Sequence, residues 1–461
     1  MTAVNALAVG VGGRSVSEAF HQAAIGSLNR DDPVLAALLD REFGAQTGTL
    51  AAVAHASLAH PSVLAAAGSV LSNVTAEGYP GRRYHPGAEQ FDEVERLAVE
   101  RAKEAFGARH ANVQPLSCSS ANLVVLFSLL APGGTLLSLN LDAGGHLTHG
   151  SAASITGRAF QSVHYGVDDA GLIDYGQVAE LAREHRPGLI IAGASAYPRR
   201  IDYARFRAVA DEVGAYLLAD ISHIAGLVAA GVVPSPIDIA HVTTASTYKQ
   251  LGGPRGGLIL LGREHARPGP DGRTPLSALL DRGVFPRVQG TPDPASIAAK
   301  ARALHLVAGP EFRDTARRIA ADARALAAAL TRRGYRVLTG GTDTHMVIVD
   351  MAARGLTGAV AEQSLRDCGI LANRNRIAGD TKPPLVGSGL RFGTNILAQR
   401  GMGPADMERL AELVDRVWQA VDARSDTAFH LDPAIRRSVR AEVDELCRRF
   451  PVPAYVLEGT W

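Results

Sequence analysis

The chain has 461 residues, of which 46% are hydrophobic and 20% are charged, and its formal net charge is +1. These values are typical of a globular protein, and they argue against a disordered chain and against nucleic-acid binding through a general excess of positive charge. Only four of the 47 basic residues are lysines, so an amine nucleophile has four candidates: Lys103, Lys249, Lys300 and Lys382.

Three widely spaced cysteines predict neither a disulfide framework nor a cysteine zinc site, as is usual in a reducing cytoplasm. The sequence contains no run of about 18 apolar residues, so no membrane span is predicted. Residues 1–13 are small and apolar and lack the basic start of a secretory signal. We interpret them as an N-terminal arm rather than as a dinucleotide-binding loop.

Short apolar strands alternate with helical stretches between residues 112 and 261. This alternation predicts a mainly parallel sheet with helices on both faces. Helices are predicted at residues 91–106, 120–130 and 203–213. Strands are predicted at residues 135–139, 189–192, 216–219, 242–245 and 258–261.

The sequence changes character near residue 296. Residues 296–333 are rich in Ala, Leu and Arg and predict long helices, within which we place a domain boundary. A smaller α+β unit follows, with strands at 346–350 and 369–372, a strand ending at 391–393, a helix at 404–420 and a charged amphipathic helix after residue 428. The predicted domains are an N-terminal arm with helices (1–60), a large domain (61–315) and a small C-terminal domain (316–461).

Lys249 has the most informative position among the four lysines. It follows an apolar strand and precedes a glycine-rich turn, in the segment TYKQLGGPRGG at residues 247–257. Ligands of parallel α/β sheets bind where the strands end. A lysine there can form a Schiff base when burial or a nearby cation lowers its pKa, whereas the alternative is a surface lysine in a turn.

Two further segments place polar groups at the end of a strand or the start of a helix. Asp220 directly follows a predicted strand, where it can pair with a pyridinium nitrogen or merely cap the next helix. Ser117, Cys118 and Ser119 open a predicted helix, whose N–H groups can bind a phosphate; ordinary N-capping is the alternative.

Other candidates lie in glycine-rich segments. His146 and His149 have the H-x-x-H spacing of some zinc sites, but no acidic or sulfur ligand lies at standard spacing nearby, so we predict no metal. Glu77 lies in a Gly- and Pro-rich loop and is either a general acid or base or a solvated carboxylate. Arg391 lies between glycines and is suited to bind a carboxylate or to form a structural ion pair.

Together these motifs resemble the serine hydroxymethyltransferase family of fold-type I pyridoxal-phosphate enzymes. The resemblance runs from about residue 68 to residue 403, through AEGYPGRRY, GGHLTHG, ADEVGAYLLAD, HIAGLVAAG, GPRGGLIL and GSGLRFGT. It implies an α/β fold with a mainly parallel seven-stranded sheet in the large domain and a smaller α+β C-terminal domain. It also implies pyridoxal phosphate as cofactor, tetrahydrofolate as a further ligand, and a homodimer whose active sites are shared.

The resemblance also implies roles for individual residues. Lys249 corresponds to the Schiff-base lysine, Asp220 to the partner of the pyridine nitrogen and His146 to the histidine stacked on the ring. Arg391 corresponds to the arginine that binds the substrate carboxylate, and Glu77 to the proposed proton-transfer residue. Further implied cofactor contacts are Ser117, Cys118, Ser119, Ser195, His223, Tyr248 and, from the neighbouring subunit, Gly290. The implied folate contacts are Leu141, Gly145, Leu147 and Asn375.

Near this implied site the sequence departs from the family pattern. His55 stands at the serine of the family's S-E-N motif, next to the substrate carboxylate. Tyr84 begins a tyrosine pair whose second member is here His85, and Tyr248 replaces the histidine before the Schiff-base lysine. Further departures are Thr75, Pro86 and Thr291. We expect His55, Tyr84 and His85 to contact substrate, and the concentration of changes predicts an altered substrate or reaction.

The function predicted first is cleavage or formation of the Cα–Cβ bond of a β-hydroxy-α-amino acid, by hydroxymethyl transfer through tetrahydrofolate or by transaldolation. The second is elimination with cyclisation of a hydroxylated amino acid in specialised metabolism. The third is a non-catalytic scaffold with the same fold, against which the joint presence of Lys249, Asp220, His146 and Arg391 argues. The protein is expected to be cytoplasmic and to bind small molecules, not nucleic acid or membranes.

Overall fold

The computed structural model describes residues 15–455, so the predicted arm at 1–13 lies outside the described residues. The chain forms two compact units, Met1–Thr49 and Leu50–Trp461. The described part of the first unit consists of helices α1 (Val16–Asp31) and α2 (Pro33–Thr47). The side chains of Ser15 and Asp32 accept hydrogen bonds from the first turns of these helices, as N-caps do. Neither helix has a buried residue.

The second unit begins with short elements that precede the large sheet. They are β1 (Leu50–Ala51), α3 (Pro61–Ala67), β2 (Gly78–Tyr79), β3 (Arg82–Arg83) and α4 (Glu89–Phe106). Helix α4 buries Phe91, Ala98 and Ala102 on one face and ends at Gly107, whose positive φ of 66° suits glycine. It confirms the predicted helix at 91–106 and begins two residues earlier.

The central element is a seven-stranded sheet. Its strands are β4 (His110–Asn112), β5 (Thr135–Leu139), β6 (Gln161–Tyr165), β7 (Leu189–Gly193), β8 (Tyr216–Asp220), β9 (Val242–Ser246) and β10 (Gly257–Leu261). They lie in the order β4-β10-β9-β8-β7-β5-β6. The five strands from β9 to β6 are parallel, whereas β10 and β4 are antiparallel at one side. This confirms the predicted mainly parallel sheet and its five predicted strands.

Helices connect and follow these strands. They are α5 (Cys118–Leu129), α6 (Ile155–Ala159), α7 (Tyr175–His185), α8 (Tyr203–Val213), α9 (Ala225–Ala229), α10 (Leu276–Arg282), α11 (Pro294–Val307) and α12 (Pro310–Arg332). The helix predicted at 203–213 is observed at those residues, and the long helical region predicted at 296–333 is α11 and α12.

A smaller antiparallel sheet follows α12. Its region contains β11 (Arg336–Val337), β12 (Met346–Asp350), α13 (Gly358–Asp367), β13 (Ile370–Leu371), β14 (Asn373–Asn375) and β15 (Gly389–Gly393). The sheet order is β11-β12-β15-β14. The strand predicted at 369–372 is observed as the shorter β13, which pairs with β1 rather than joining this sheet. The division of the chain at residue 315 stays a prediction.

The remaining elements are α14 (Asn395–Gln399), α15 (Pro404–Gln419), β16 (Val421–Ala423), β17 (Phe429–Leu431) and α16 (Pro433–Arg449). Helix α15 confirms the helix predicted at 404–420, and α16 is the amphipathic helix predicted in the tail. None of the helices within residues 15–455 is long and apolar enough to cross a membrane.

Candidate active site

A cavity of about 190 Å³ lies at the carboxyl ends of β7, β8 and β9. Neighbouring parallel strands end at the same edge of a sheet, so residues distant in sequence meet there. Nine of the ten predicted cofactor residues line this cavity: Ser117, Cys118, Ser119, His146, Ser195, Asp220, His223, Tyr248 and Lys249. These residues therefore lie close together, as one cofactor site requires, and their individual roles stay predictions.

Asp220 is a buried carboxylate held in its charged form. Its Oδ2 accepts hydrogen bonds from His149 Nε2 at 3.0 Å and from Asn122 Nδ2 at 2.8 Å. Its Oδ1 accepts one from the backbone N–H of Ser222 at 3.0 Å. Although burial raises the pKa of Asp220, the hydrogen bonds and the nearby histidines hold it well below its ordinary value. Asp220 can therefore stabilise a positive charge in the cavity.

Lys249 is a buried amine whose positive charge is disfavoured. Its side chain is 7% exposed, and no hydrogen bond to its Nζ is found within residues 15–455. Burial lowers the pKa of Lys249 to about 8, as do the charges of Arg391 and Arg255, against the opposing effect of Asp220. The neutral form of a lysine is the nucleophile, so the lowered pKa makes Lys249 more reactive toward a carbonyl at neutral pH than an ordinary lysine.

His146 and His223 add neutral rings to the cavity wall. Burial lowers the pKa of His146 to about 4, and burial holds that of His223 well below its ordinary value. The Nδ1 of His146 accepts a hydrogen bond from Thr148 N at 3.2 Å, which fixes the ring. The Nδ1 of His223 is buried and has no hydrogen-bond partner among the described residues, so a polar group of a ligand can bind there.

The start of α5 forms the anion-binding side of the cavity. Ser117 is the N-cap, and its Oγ accepts from Ser120 N at 3.0 Å. The first N–H groups of a helix have no partner within the helix and carry partial positive charge, which favours a phosphate. Burial raises the pKa of the Cys118 thiol, which keeps its proton and donates to Asp220 Oδ1 at 3.7 Å.

Arg391 lies beside this cavity, on β15. Its Nε donates to Asn373 Oδ1 at 3.1 Å, Nη1 donates to the carbonyl of Ser195, and Nη2 donates to His55 Nδ1 at 3.4 Å. Burial lowers the pKa of Arg391 to about 10, which leaves it charged at neutral pH. Burial also lowers the pKa of His55 to about 4, so the ring is neutral and can accept this hydrogen bond.

Four predicted residues form a separate cluster that does not line the 190 Å³ cavity: Glu77, Tyr84, His85 and Gly290. His85 Nε2 lies 3.6 Å from Glu77 Oε2, and both side chains are partly exposed. Gly290 lies against Glu77, since a Cβ added to this glycine would be 3.2 Å from Oε1. Tyr84 is 74% exposed, and its ring contacts that of Phe285 with centroids 5.5 Å apart.

The predicted folate contacts follow β5 and lie on β14. Leu141 and Leu147 are exposed apolar side chains, and Gly145 fits closely because a Cβ there would lie 2.2 Å from the Leu139 carbonyl oxygen. Asn375 lines a second cavity, of about 700 Å³, together with Asp142, Gly144 and Tyr197. An ion pair of 2.7 Å between Arg376 and Asp142 links the two segments.

His149 and Asn122 are not among the predicted site residues, although both bind Asp220 directly. The H-x-x-H spacing singled out His149, but as an unlikely metal ligand rather than as a hydrogen-bond donor. Asn122 lies one turn inside α5, and Thr244 Oγ1 donates to its Oδ1 at 2.7 Å, which orients the amide toward Asp220. Among residues 15–455, no group of three or more His, Cys, Asp or Glu side chains is arranged to hold a metal.

The cavity has the features of a site for an aldehyde cofactor with a basic ring nitrogen and a phosphate, the description of pyridoxal phosphate. Lys249 provides the amine, Asp220 the buried negative charge and α5 the helix N-terminus. The unpartnered Nδ1 of His223 leaves a buried polar atom for a cofactor substituent. The residues present therefore fit a fold-type I pyridoxal-phosphate enzyme.

Comparison with known proteins agrees with this class. The sequence pattern of one family, described as "SHMT: Serine hydroxymethyltransferase", matches residues 28–414. A relative named serine hydroxymethyltransferase, from Synechococcus sp. (strain JA-3-3Ab), is 47% identical over 440 residues, covering 92% of this chain and 96% of the relative. The chain belongs to the serine hydroxymethyltransferase family.

Family membership confirms the predicted family, fold class and cofactor. The protein is a pyridoxal-phosphate-dependent enzyme of the hydroxymethyltransferase type, and tetrahydrofolate is the co-substrate in this family. Neither elimination with cyclisation nor a non-catalytic scaffold is supported over this function.

Proposed function

We propose that the protein moves a one-carbon or aldehyde unit to or from the Cα of a β-hydroxy-α-amino acid, with Lys249 as the residue that holds the cofactor. The observation that carries this proposal is a single cavity that contains a buried amine with its pKa near 8 and a buried charged carboxylate, Asp220. The buried guanidinium of Arg391 lies directly beside it.

Five residues would hold the cofactor. Lys249 would bind its aldehyde carbon and Asp220 its ring nitrogen, while Ser117 and Ser119 at the start of α5 would bind its phosphate. His146 would pack its neutral ring on the cofactor ring. When bound, pyridoxal phosphate supplies an electron sink for the bond that breaks at Cα.

Arg391 would bind the substrate carboxylate. A guanidinium has five N–H donors, and three donate to Asn373, Ser195 and His55. The two that remain are on different terminal nitrogens, so both can bind one carboxylate in the bidentate arrangement. Because Arg391 is buried and already fixed by three partners, it would hold the substrate in one orientation and determine which Cα bond is broken.

Glu77 would move the proton of the substrate hydroxyl, but only at the site of a neighbouring subunit. Glu77, His85 and Gly290 lie together yet outside the cavity lined by Lys249 of the same chain. This separation supports the homodimer with shared active sites that the family resemblance implies. His85, 3.6 Å from Glu77, would accept or return that proton where the family pattern has a tyrosine.

The first unit offers a surface for this dimer. Its helices expose eight large apolar side chains: Val16, Phe20, Ile25, Val34, Leu35, Leu38, Leu39 and Phe43. Such a concentration of exposed apolar area is typical of a protein–protein interface. We propose that a second copy covers it. Sedimentation equilibrium of the parent protein should show a dimer, and the double variant Phe20→Asp with Leu39→Asp should shift the equilibrium toward monomer. A parent protein that is monomeric, or a double variant that stays fully dimeric, would refute the proposal.

The substrate pocket of this enzyme would differ from that of the family pattern at His55. The neutral imidazole occupies one N–H of Arg391, whereas a serine hydroxyl there is smaller. We propose that His55 narrows the space near the substrate carboxylate and Cα, and so alters the choice among β-hydroxy-α-amino acids. We also propose a cytoplasmic location, which the three free, buried cysteines support because reducing compartments keep thiols free.

The test of the proposed function uses purified protein supplied with pyridoxal phosphate. The visible absorbance of bound cofactor should appear in the parent protein and in Lys103→Ala, and should be lost in Lys249→Ala. Serine cleavage is then measured with and without tetrahydrofolate, and aldehyde exchange from L-threonine is measured separately. Folate-dependent cleavage supports hydroxymethyl transfer and folate-independent exchange supports transaldolation. A protein that takes up no cofactor would contradict both.

A further inference from the structure

Lys300 is a second buried lysine, outside the proposed chemistry. It lies on α11 and is 2% exposed. Its Nζ donates hydrogen bonds to three backbone carbonyls: Val113 at 2.6 Å, Pro115 at 2.9 Å and Gly257 at 3.2 Å. No carboxylate forms an ion pair with it within residues 15–455. An ammonium buried without a counter-charge is costly, so its retention in a chain with four lysines requires a reason.

The three carbonyls belong to two segments that lead into the candidate site. Val113 and Pro115 lie just before Ser117, where α5 and the predicted phosphate site begin. Gly257 starts β10, after the glycine-rich turn that follows Lys249, and its N–H donates to the Pro115 carbonyl at 2.9 Å. Lys300 therefore ties the approach to the phosphate site to the end of the Lys249 turn.

The two glycines of this turn make the arrangement sterically feasible. A Cβ added to Gly256 would lie 2.2 Å from Cε of Lys300, and one added to Gly257 would lie 2.4 Å from the Ser117 carbonyl oxygen. Gly256 thus leaves room for the lysine and Gly257 for the backbone of the phosphate site. Both glycines belong to the PRGG part of the motif, which the candidate chemistry does not otherwise explain.

We propose that Lys300 is a positioning residue for phosphate binding, whose ammonium fixes residues 113–117 against the Lys249 turn. A neutral side chain of similar length, such as that of methionine, would fill the same space without linking the carbonyls. The start of α5 would then shift relative to Lys249, and its N–H groups would meet the phosphate less well. Burial lowers the pKa of Lys300 to about 7, whereas the charges of Asp293 and Glu95 favour the charged form, and the three carbonyls accept hydrogen bonds from its Nζ.

The inference rests on the proposed binding of pyridoxal phosphate, and the test compares that molecule with pyridoxal, which lacks the phosphate. Both aldehydes use the same Lys249 amine, so the ratio of their dissociation constants isolates the phosphate site. Lys300→Met should weaken binding of pyridoxal phosphate by about tenfold or more, which is the effect of losing one charge-assisted hydrogen bond between an N–H group of α5 and the phosphate. Binding of pyridoxal should stay within about twofold of its value in the parent protein. The readout is absorbance on titration of cofactor-free protein.

Two further variants separate this role from a general loss of stability. Gly256→Ala keeps the ammonium but displaces it, so it should produce the same selective loss, and it replaces Lys300→Met if that variant does not fold. Lys103→Met removes a partly exposed lysine that pairs with Glu100 at 3.0 Å, and should change neither constant. Equal weakening of both aldehydes, or no weakening, would overturn the inference. A parent protein that binds neither aldehyde would overturn the proposed function as well.

Discussion

The lowered pKa of Lys249 leads to a quantitative prediction about its reactivity in the cofactor-free protein. A pKa of about 8 in place of 10.5 leaves about a tenth of the amine uncharged at pH 7, which is about 300-fold more than in an ordinary lysine. The reactive form of a lysine is the neutral amine. Lys249 should therefore be acylated at pH 7 far faster than the same residue in the unfolded chain.

The assay is trace acetylation of cofactor-free protein between pH 6 and pH 11, with the extent of modification at Lys249 measured by peptide mass spectrometry. The protein unfolded in urea provides the reference for the same residue. The rate at Lys249 should rise with pH and level off above about pH 8, whereas in urea it should continue to rise toward pH 10.5.

Two variants should shift the pKa of Lys249 in opposite directions. Asp220 raises the pKa of Lys249 and Arg255 lowers it. Asp220→Asn should therefore move the inflection below that of the parent protein, and Arg255→Gln should move it above. An inflection near pH 10.5 in the folded parent protein, or shifts of the same sign in both variants, would refute the electrostatic reasoning.

Four further predictions concern other groups. His149→Ala removes a hydrogen bond to Asp220 and should lower kcat for serine cleavage by about tenfold or more, with Asp220→Asn as the comparison. Asp322 is fully buried without a hydrogen bond in the described part of the chain, and burial raises its pKa to about 7. Because this lies above the unfolded value near 3.8, the contribution of Asp322 to stability is fully present below about pH 4 and is lost as pH rises through 7; denaturant unfolding should show a fall of up to about 4 kcal/mol between these pH values that is absent in Asp322→Asn. His85→Tyr with Tyr248→His should raise kcat/KM for serine if these positions set substrate choice, and an unchanged value would refute that role. In the trace acetylation, Lys300 should react far more slowly than Lys249 although burial lowers the pKa of both, because Lys300 is 2% exposed and its amine is bound to three carbonyls, whereas Lys249 faces a cavity; equal rates would contradict this.

The elements that could be predicted from the sequence carry a signal in their own residues, either an apolar run in a buried strand or capping residues at the ends of a helix. Every residue of β7, β9 and β12 is buried, and the apolar runs Leu-Ile-Ile-Ala in β7 and Met-Val-Ile-Val in β12 can be read directly from the sequence. Helix α8 was predictable to the residue because Asp202 caps its start and Gly214, with φ of 73°, ends it. These signals are local and need no knowledge of the tertiary structure.

The elements that escaped prediction lack such uniform burial. Strand β6 lies at the edge of the sheet, and its sequence Gln-Ser-Val-His-Tyr has one fully buried residue, Tyr165. Strand β4 has three residues and joins the sheet through antiparallel pairing with β10. Its position depends on β10, which is more than 140 residues away, so no local pattern could reveal it.

The candidate site shows the same limit at the level of side chains. Motifs located Lys249 and Asp220 individually, because each follows a strand, but the partners that control their charge come from distant segments. His149 follows β5 and Asn122 lies on α5, and only the parallel order of the sheet brings them to Asp220. Resemblance to a family supplied the role of Glu77, but the structure shows that Glu77 lies away from the cavity of its own chain.

The four lysines differ in their burial and in the groups that they contact. Lys103 and Lys382 form ion pairs near the surface, with Glu100 and Asp426. Lys249 and Lys300 are both buried, and burial lowers the pKa of both, so burial alone cannot tell a nucleophile from a structural cation. The difference is in their acceptors: Lys300 has three carbonyls that bind its N–H groups, whereas Lys249 faces a cavity beside a carboxylate. An amine serves as nucleophile where its lone pair is free, and that condition selects Lys249.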